Sequence, residues 1–470
     1  MAFDSIEFIV FFTSIVCLYW LLGIRYRAQN ALILVASYFF YGWWDWRFLV
    51  LIAGSSLLDF IIGKKLSGSA GATAKRKRLV ALSVTANLCL LGIFKYYNFF
   101  IESLSQLLQV AGIENGLDTL PIVLPVGISF YTFQSMAYTI DVYRGKVTAE
   151  ANLVTFLAYI SFFPQLVAGP IERADRLLPQ FHKARELTDD LVKTSVLSMS
   201  YGFLLKILVS NTCSGFVSIG FHENNTNGWS SILAVLFFSI QIYADFYAYS
   251  LIAKGAAGLL GIELIDNFRQ PYFAANPSDF WRRWHVSLST WLRDYLYIPL
   301  GGNRGSKSLL VRNLMVTMIL GGLWHGASWN FMWWGVGHGL ILVLYHLALS
   351  ERWKTNVSVV RQIILRSATL LWILVSWWLF RAQGESIIAL ASRQFSDFTL
   401  LEFHTRFIVT FLCLLTLVLT VDAFIELDRK QRMRRWLLEP IVFSTTLAVL
   451  WLISISMFQA FETQFIYFQF

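Results

Sequence analysis

The sequence predicts an all-α polytopic membrane protein, and composition is the first reason. Of its 470 residues, 56% are hydrophobic and only 14% are charged, and the mean hydropathy is +0.57. An average soluble protein has about 45–50% apolar and about 25% charged residues. The 18 Trp, 19 Tyr and 40 Phe residues suit aromatic belts at membrane interfaces. Disordered, collagen-like and small disulfide-bonded classes are excluded by the same composition.

Apolar windows that recur along the chain are the second reason. A helix needs about 20 apolar residues to cross a bilayer. About a dozen windows meet or approach that length, near residues 6–23, 30–42, 48–62, 79–97, 121–140, 195–220, 230–260, 308–323, 331–349, 365–380, 405–425 and 437–458. No repeat at solenoid periods interrupts them, so we predict a single membrane-embedded domain over residues 1–470.

Basic tracts between the windows are the third reason. The net charge of +9 is concentrated in short loops, which favours membrane orientation over a nucleic-acid partner. The tracts at 64–78 and 429–435 are both predicted to be cytoplasmic, and counting crossings from them places both termini outside the cytosol. Asp4 and Glu7 stand where a signal peptide would be basic, so the first helix is expected to be retained.

The apolar segment 151–168 is the first of two irregular stretches. Basic residues flank it on both sides, so both of its ends prefer the cytosol. Pro164 and the Gly169-Pro170 pair interrupt any helix there. We predict a broken hairpin that enters the membrane without crossing it, and such a backbone requires surrounding protein or a water-filled cavity.

The second irregular stretch, residues 276–300, has the pattern of one amphipathic helix. Asn276 is a suitable N-cap, and Pro277 suits the first helical position. At about 100° per residue, tryptophans and leucines share one side and arginines occupy the other. The helix is too charged to span, and we predict that it lies at the cytoplasmic interface. His285 falls at the edge of its apolar face and is predicted to point inward.

His325, in GGLWHGASWNF, is the strongest candidate for chemistry. An ionisable group in an apolar segment is energetically costly, so it indicates function by default. Gly321, Gly322 and Gly326 would allow a ligand or another backbone to approach closely. A structural histidine bonded to a carbonyl is the alternative that the residues alone leave open.

The other ionisable residues are weaker candidates. His338 and His346 share a helix face, but no carboxylate or cysteine accompanies them at ligand spacing, so interhelical hydrogen bonding is favoured over a metal site. Asp245 lies deep in an apolar span, either as a hydrogen-bonded strut or as the partner of a histidine or arginine, and we favour the strut. The remaining histidines are predicted to be surface residues in polar loops: His182, His222 and His404.

Motifs of several enzyme classes are absent from the sequence. It has no GxSxG elbow, no Walker A motif, no GxGxxG fingerprint and no HExxH helix. What remains is an intramembrane base without a nucleophile motif. This pattern suits transfer of an already activated acyl group to a hydroxyl, because a thioester needs no ATP and a neutral histidine accepts the hydroxyl proton.

Five sequence blocks occur in order along nearly the whole chain. They are FYGWWDWR (Phe40–Arg47), PVGISFYTFQSMAYTIDVYRG (Pro125–Gly145), FFPQLVAGPIER (Phe162–Arg173), DFWRRWHVSLSTWLRDYLYIPLGGNR (Asp279–Arg304) and GLWHGASWNFMWWGVGHG (Gly322–Gly339). With these blocks the sequence resembles the membrane-bound O-acyltransferase (MBOAT) family, and within it the bacterial alginate O-acetyltransferase branch. The two histidine-containing blocks are the most specific.

The resemblance implies a fold and two catalytic residues. The implied MBOAT fold is a ring of tilted transmembrane helices around a central funnel, with re-entrant and interfacial helices and a catalytic core at about 121–350. His325 is implied as the catalytic histidine at the base of the funnel, and His285 as the second histidine of the branch. One stretch departs: the branch commonly reads DFSGYSDIA where this chain reads DFYAYSLIA (Asp245–Ala253), so no role is carried over to it.

The resemblance also implies substrates and partners. Members of this branch take acetyl from cytosolic acetyl-CoA and pass it to the outer face of the bacterial inner membrane, where an extracytoplasmic SGNH-type partner completes transfer to a polysaccharide such as alginate. Acetyl-CoA is then a donor substrate, and neither a bound cofactor nor a metal is expected. We expect the CoA phosphates near Arg282, Arg283 and Arg293. We also expect Trp324 and Asn330 to shape the pocket and orient the acyl carbonyl.

Two alternatives stay open. One is a D-alanyl or other acyl transferase whose donor is an acylated carrier protein. The other is a non-catalytic acyl conduit or transporter, in which the histidines relay protons and the partner makes all bonds. Within the acetyltransferase hypothesis, His325 acts either as general base on the acceptor hydroxyl or as a transient acyl carrier. His285 orients the acyl group or relays a proton.

Overall fold

The computed structural model describes residues 1–68, 73–167, 169–222, 224–348, 358–382, 387–399 and 402–429. The chain divides into two compact units. The first comprises Met1–Leu187, Ala256–Ile265 and Gly326–Ser328. The second comprises Thr188–Gly255, Asp266–His325 and the described residues from Trp329 onward. The predicted window at 437–458 and most of the basic tract at 429–435 lie outside the described residues.

Both units are built from helices. The α-helices of the first unit are α1 (Ile6–Leu21), α2 (Tyr26–Asp45), α3 (Leu49–Ser67), α4 (Thr73–Leu91), α5 (Tyr97–Val110), α6 (Ile128–Tyr143), α7 (Leu153–Ser161), α8 (Phe163–Leu166) and α9 (Ala174–Leu177). Those that begin in the second unit are α10 (Asp189–Leu204), α11 (Asn211–Gly220), α12 (Gly228–Leu259), α13 (Pro277–Arg283), α14 (Val286–Leu292), α15 (Lys307–His325), α16 (Trp329–Ala348), α17 (Val359–Arg381), α18 (Ile387–Gln394) and α19 (Glu402–Arg429). Short 3₁₀ segments lie at Trp46–Phe48, Leu178–His182 and Pro271–Phe273, and π-helical segments at Gly92–Tyr96, Leu205–Ser210 and Arg293–Tyr297.

The all-α membrane prediction is confirmed for the described part of the chain, which contains no β-strand and one isolated bridge between Asn227 and Asp397. A helix bonds every backbone N–H and C=O within its own segment, as a bilayer requires. Six helical stretches there are long and apolar enough to cross a membrane: Tyr26–Ser67, Thr73–Val110, Asp189–Gly220, Gly228–Leu259, Val359–Arg381 and His404–Ala423. The protein is therefore a polytopic integral membrane protein.

The start of α6 is set by a glycine. Gly127 has a φ of +73°, and a Cβ built on it would lie 2.7 Å from the Leu166 carbonyl oxygen. Left-handed backbone and this close approach together suit glycine alone. The helix therefore begins at Ile128, several residues into the apolar window predicted at 121–140.

The segment 151–168 is broken as predicted. Its first helix, α7, has 9 residues and ends at a non-helical Phe162, and Pro164 lies in the first turn of the 4-residue α8 that follows. At about 1.5 Å per residue, neither helix approaches the roughly 30 Å thickness of a hydrocarbon core. Gln165 on α8 donates a hydrogen bond to the side chain of Gln134 on α6 at 3.0 Å, which fixes the broken backbone against a neighbouring helix.

A buried carboxylate joins three helices of the first unit. Asp59 on α3 accepts hydrogen bonds from Ser83 and from Asn87 on α4, the latter at 2.8 Å. It also accepts from Ser135 and from Thr139 on α6, the latter at 3.2 Å. Polar side chains that bond across helices hold membrane bundles together. Because both carboxylate oxygens have donors, this cluster has the properties of a structural centre.

In the second unit, α15 and α16 form a close antiparallel pair that positions the end of α15. A Cβ on Gly322 would lie 2.2 Å from the Phe331 carbonyl oxygen, and one on Gly335 would lie 2.4 Å from the Met318 carbonyl oxygen. The two backbones touch because these positions carry no side chain, as in small-residue interfaces of membrane helices. This contact lies directly before His325, where α15 ends.

Candidate active site

His325 lies in an enclosure of aromatic rings at the end of α15. The ring centroids of Trp324, Trp334 and Phe380 lie 5.2, 5.1 and 5.4 Å from the centroid of its imidazole, each in an edge orientation. Only 5% of the His325 surface is exposed. Such an enclosure keeps bulk water from the imidazole and strengthens the hydrogen bonds made within it.

His285 lies at a break between two short helices. α13 ends at Arg283, α14 begins at Val286, and His285 has a φ of 43° and a ψ of 55°. The prediction of one continuous amphipathic helix is therefore wrong, although Asn276 caps α13 as predicted by accepting from the Asp279 N–H at 2.9 Å. Left-handed backbone outside glycine costs about 1–3 kcal/mol and is concentrated at functional sites.

A neighbouring segment holds this break in place. The Arg269 N–H donates to the Arg283 carbonyl, and the Val286 N–H donates to the Asn267 carbonyl, both at 2.9 Å. His285 is thus bracketed by two backbone hydrogen bonds to the same segment. These long-range bonds offset the backbone strain at His285. The helical periodicity of the sequence does not predict them.

The indole of Trp324 connects the two predicted histidines. Its ring centroid lies 5.7 Å from that of His285 and 5.2 Å from that of His325. The His285 ring also meets Phe246 edge to face, with centroids 4.6 Å apart. His285 is fully buried, as its predicted inward orientation requires, and burial lowers its pKa to about 3. A neutral ring of this kind is suited to donate or accept a hydrogen bond.

Asp245 pairs with a lysine that sequence analysis missed. Lys206 Nζ lies 2.9 Å from Asp245 Oδ1, and the side chains are 0% and 1% exposed. The sequence favoured a hydrogen-bonded strut over a histidine or arginine partner, whereas the structure pairs the Asp245 carboxylate with a lysine. Lys206 lies on the π-helical segment Leu205–Ser210, a geometry common at functional sites. The rule that identified Asp245, an ionisable group in an apolar span, applies equally to Lys206.

His338 links α16 to α17. Trp372 Nε1 donates to His338 Nδ1 at 3.4 Å, and the rings of Trp281 and Trp334 lie 5.0 and 4.5 Å away. This contact is an interhelical hydrogen bond of the kind expected from the sequence. Among the residues that the structure describes, no group of three or more His, Cys, Asp or Glu could hold a metal ion.

The three arginines expected near CoA phosphates differ in their neighbours. Arg283 forms an ion pair with Asp279 at 2.9 Å, and Arg293 forms one with Asp294 at 2.7 Å. Arg282 is exposed, and its guanidinium lies 3.4 Å from a serine hydroxyl. Within the described ranges, Arg282 is the arginine of the three that has no acidic group at ion-pair distance.

The two residues expected to shape the pocket also differ. Trp324 contacts both histidine rings. The side-chain amide of Asn330 donates to the carbonyl of Ala382, directly after α17, so its N–H ties α16 to that helix end. A role for Asn330 toward a substrate carbonyl stays a prediction.

One of the histidines expected on the surface is buried. His404 is 1% exposed, and its Nε2 lies 3.0 Å from Ser230 Oγ. Its polar neighbours in LEFHTR suggest a loop, but α19 begins at Glu402, so the prediction is wrong for His404. His182 and His222 are exposed, as predicted.

Aromatic packing fills the stretch DFYAYSLIA that departs from the branch pattern. The rings of Tyr243, just before it, and Tyr247 stack with centroids 5.4 Å apart. The Tyr243 hydroxyl donates to Asp422 at 2.7 Å, so this part of α12 is tied to α19. The Tyr247 ring also lies 5.6 Å from that of Phe268, so the larger residue at this position takes part in aromatic packing.

Fold and site together define a polytopic membrane protein in which two buried histidines contact one indole. The family model described as MBOAT, membrane-bound O-acyltransferase family, matches residues 147–381, which include both histidines. The chain belongs to this family, which makes it an O-acyltransferase, and the resemblance inferred from the five blocks is confirmed.

Relatives span most of the chain. It is 39% identical over 388 residues to a probable alginate O-acetylase, AlgI, of Pseudomonas aeruginosa, covering 82% of this chain and 73% of that protein. It is 34% identical over 382 residues to a peptidoglycan O-acetyltransferase of Helicobacter pylori, covering 75% and 71%. A teichoic acid D-alanyltransferase of Bacillus subtilis is 28% identical over 255 residues, covering 50% and 65%. Similarity is more extensive to the two O-acetylating relatives.

Proposed function

We propose that this protein takes an acetyl group from cytosolic acetyl-CoA and moves it across the membrane for O-acetylation of an extracytoplasmic polysaccharide such as alginate. The observation that carries the proposal is the buried, aromatic-enclosed imidazole of His325, which shares Trp324 with His285. The 39% identity to a probable alginate O-acetylase over 82% of the chain supports the choice of acyl group.

The proposed step is balanced without ATP or a redox partner. The acceptor hydroxyl oxygen attacks the thioester carbonyl carbon, a C–O bond forms, and the C–S bond to CoA breaks. His325 takes the hydroxyl proton and returns it to the departing thiolate, so the products are an ester and free CoA. A positioned general base contributes about 10²–10⁴-fold to such a rate. If His325 instead carries the acetyl group transiently, an acetyl-imidazole forms before the acceptor attacks.

The surrounding residues support this step in different ways. The aromatic rings around His325 restrict the access of water, so the thioester is hydrolysed only slowly while no acceptor is bound. The neutral His285 orients the acyl carbonyl or relays a proton. Arg282 is exposed and has a charge available for a CoA phosphate, which a guanidinium binds well. Arg283 and Arg293 already form ion pairs with aspartates, which would compete with a CoA phosphate for each guanidinium.

The proposal includes a cellular arrangement. We place the protein in the bacterial inner membrane as a multi-pass protein with both termini extracytoplasmic, and we take residues 121–350 as the catalytic core of a single membrane-embedded domain. An extracytoplasmic SGNH-type protein would complete transfer to the polysaccharide. The positive-inside distribution of the basic tracts supports this orientation.

Release of free CoA from acetyl-CoA tests the proposal. The full-length protein in nanodiscs is incubated with labelled acetyl-CoA, and wild type is compared with His325→Ala and with His346→Ala, a matched change at a half-buried histidine of α16. We expect slow CoA release by wild type and His346→Ala, and loss of release by about 10²-fold or more in His325→Ala.

Parallel reactions separate the alternatives. If an acylated carrier protein is consumed and acetyl-CoA is not, then the donor is the carrier protein, as in the D-alanyl transferase alternative. No release from either donor, even with the extracytoplasmic partner added, would favour a conduit and overturn the proposal. If label from acetyl-CoA stays on the protein after the donor is removed, is absent from His325→Ala and is released by hydroxylamine as acetyl hydroxamate, then His325 is a transient carrier.

A further inference from the structure

A buried amide holds the imidazole of His285. Asn267 Oδ1 lies 3.2 Å from His285 Nδ1, 3.2 Å from the backbone N of Ser287 and 2.9 Å from the Ser287 Oγ. Asn267 Nδ2 donates to Ser250 Oγ on α12 at 3.3 Å. None of these four residues exposes more than 5% of its surface. Both ends of the Asn267 amide are therefore engaged inside the protein.

The backbone decides which end of this amide faces the histidine. The Ser287 N–H is always a donor, so the Asn267 atom opposite it must be the oxygen. A flipped amide would place two donors against each other. The same oxygen lies 3.2 Å from His285 Nδ1. The Ser287 hydroxyl lies 3.3 Å from Nδ1 but only 2.9 Å from the Asn267 oxygen, to which it donates. A neutral imidazole carries its hydrogen on one nitrogen only, and an acceptor opposite Nδ1 favours the hydrogen there.

We propose that Asn267 is a positioning residue that fixes His285 as the Nδ1–H tautomer, so that the lone pair is on Nε2. Ser250 supports it by accepting from the other end of the amide. An unprotonated Nε2 cannot donate to an acyl carbonyl oxygen, so of the two roles proposed for His285 this tautomer selects the proton relay. The consequence for turnover rests on the proposed acetyl transfer, whereas the tautomer itself does not. Asn267 is not adjacent to either histidine in sequence, and no sequence motif identifies it.

One residue thus controls both the backbone and the ring of His285. The Asn267 carbonyl accepts from the Val286 N–H at 2.9 Å and helps to hold the left-handed backbone, while its side chain holds the ring. A neutral amide orients the ring without stabilising the imidazolium, which a carboxylate in this position would do. Misplacing a catalytic group by about 1 Å can cost about 10²-fold in rate, so dual control of this kind matters for turnover.

Ring-nitrogen NMR tests the tautomer directly. The full-length protein is labelled with ¹⁵N-histidine and reconstituted in nanodiscs, and the His285 signals are assigned by their loss in His285→Gln. We expect a protonated Nδ1 and an unprotonated Nε2. A protonated Nε2 with an unprotonated Nδ1 would overturn the proposal, whatever the acyl-transfer assay shows.

Two substitutions separate positioning from general structural support. Asn267→Leu has a similar volume and no acceptor, so we expect mixed tautomers and CoA release lowered by about 10²-fold. Asn267→Asp keeps an acceptor oxygen, so we expect a protonated Nδ1 in its spectrum, whereas Nε2 should gain a proton at a higher pH than in wild type because a carboxylate stabilises the imidazolium. Unchanged tautomer and turnover in Asn267→Leu would contradict the proposal. If that variant fails to fold, the wild-type and Asn267→Asp spectra still show whether Nδ1 of His285 carries the hydrogen.

A matched control uses another buried amide of the second unit. Asn313 on α15 donates to the Gly302 carbonyl at 2.9 Å, and in the described structure its other side-chain hydrogen bonds come from Arg312 rather than from a histidine. Asn313→Leu is expected to leave the His285 ring signals unchanged. If wild type releases no CoA from any donor, acetyl transfer fails as a function, while the ring-nitrogen signals still test the role of Asn267.

Discussion

Asp59 in the first unit and His285 in the second are both fully buried, but they are held in different ways. Asp59 lies on a continuous helix, and four neutral donors satisfy its carboxylate. His285 lies on left-handed backbone between two helices, with Asn267 on one side of its ring and Trp324 in contact with it. A buried polar group with all its hydrogen bonds satisfied on unstrained backbone is typical of a structural role. A residue on strained backbone is typical of a functional site.

Substitutions in the Lys206–Asp245 pair test whether this buried charge in the second unit has a structural role. They have the largest expected effect on stability. Lys206→Met alone leaves a carboxylate buried without its ion-pair partner, so we expect a loss of about 3–5 kcal/mol in the free energy of unfolding. The double variant Lys206→Met/Asp245→Leu is expected to recover most of that loss. Denaturant unfolding in detergent measures both. Equal losses in the single and double variants would show that the pair itself is not the source.

Asp59→Asn tests whether Asp59 has a structural role only. An amide cannot accept from all the donors that Asp59 satisfies, so we expect about 1–3 kcal/mol of destabilisation for each donor left unsatisfied. CoA release per folded molecule is expected to stay at the wild-type value. A loss of turnover in fully folded Asp59→Asn would contradict the assignment of a structural role to Asp59 and a functional role to His285.

Gly322→Ala tests whether close helix contact is needed to place His325. The added Cβ would lie 2.2 Å from the Phe331 carbonyl, so we expect overpacking of about 1–3 kcal/mol and a fall in turnover. Gly215→Ala on α11 is the matched control, because nothing lies within 4 Å of its Cβ position. That change is expected to be neutral or stabilising by about 0.5–1 kcal/mol. Similar thermal unfolding of the two variants would contradict the packing argument.

Arg282→Ala has the smallest expected effect. Loss of one exposed charge should raise KM for acetyl-CoA by up to about fivefold without changing kcat or unfolding temperature, and the effect should shrink at high salt. Arg366→Ala, at an exposed position of α17, is the control and should leave KM unchanged. An unchanged KM for Arg282→Ala would remove Arg282 from the donor site.

Local patterns predicted the parts of the fold that local physics controls. Apolar windows and composition predict the membrane helices, Asn276 predicts the start of α13, and Pro164 predicts the break after α7. His325 is found because an ionisable group inside an apolar segment is costly. The same rule identifies Lys206, which could have been found in the same way.

Long-range contacts explain what sequence reasoning missed. The periodicity of residues 276–300 favours one helix, but hydrogen bonds from the segment at 267–269 stabilise a break at His285 instead. Asn267 itself lies in a loop and has no local signal that separates it from other asparagines. His404 has polar neighbours in sequence, and its burial follows from tertiary packing that places it beside Ser230.

The most direct test of the account compares His325→Ala with Asp59→Asn in one nanodisc preparation, measuring CoA release per folded molecule and unfolding temperature together. The account predicts that His325→Ala still folds, with the loss of stability expected when a buried ring is truncated, and loses about 10²-fold or more of its release per folded molecule. Asp59→Asn should also unfold at a lower temperature but keep full release per folded molecule. Wild-type release by a folded His325→Ala protein would contradict the account, because the enclosed imidazole would then not be the centre of the chemistry.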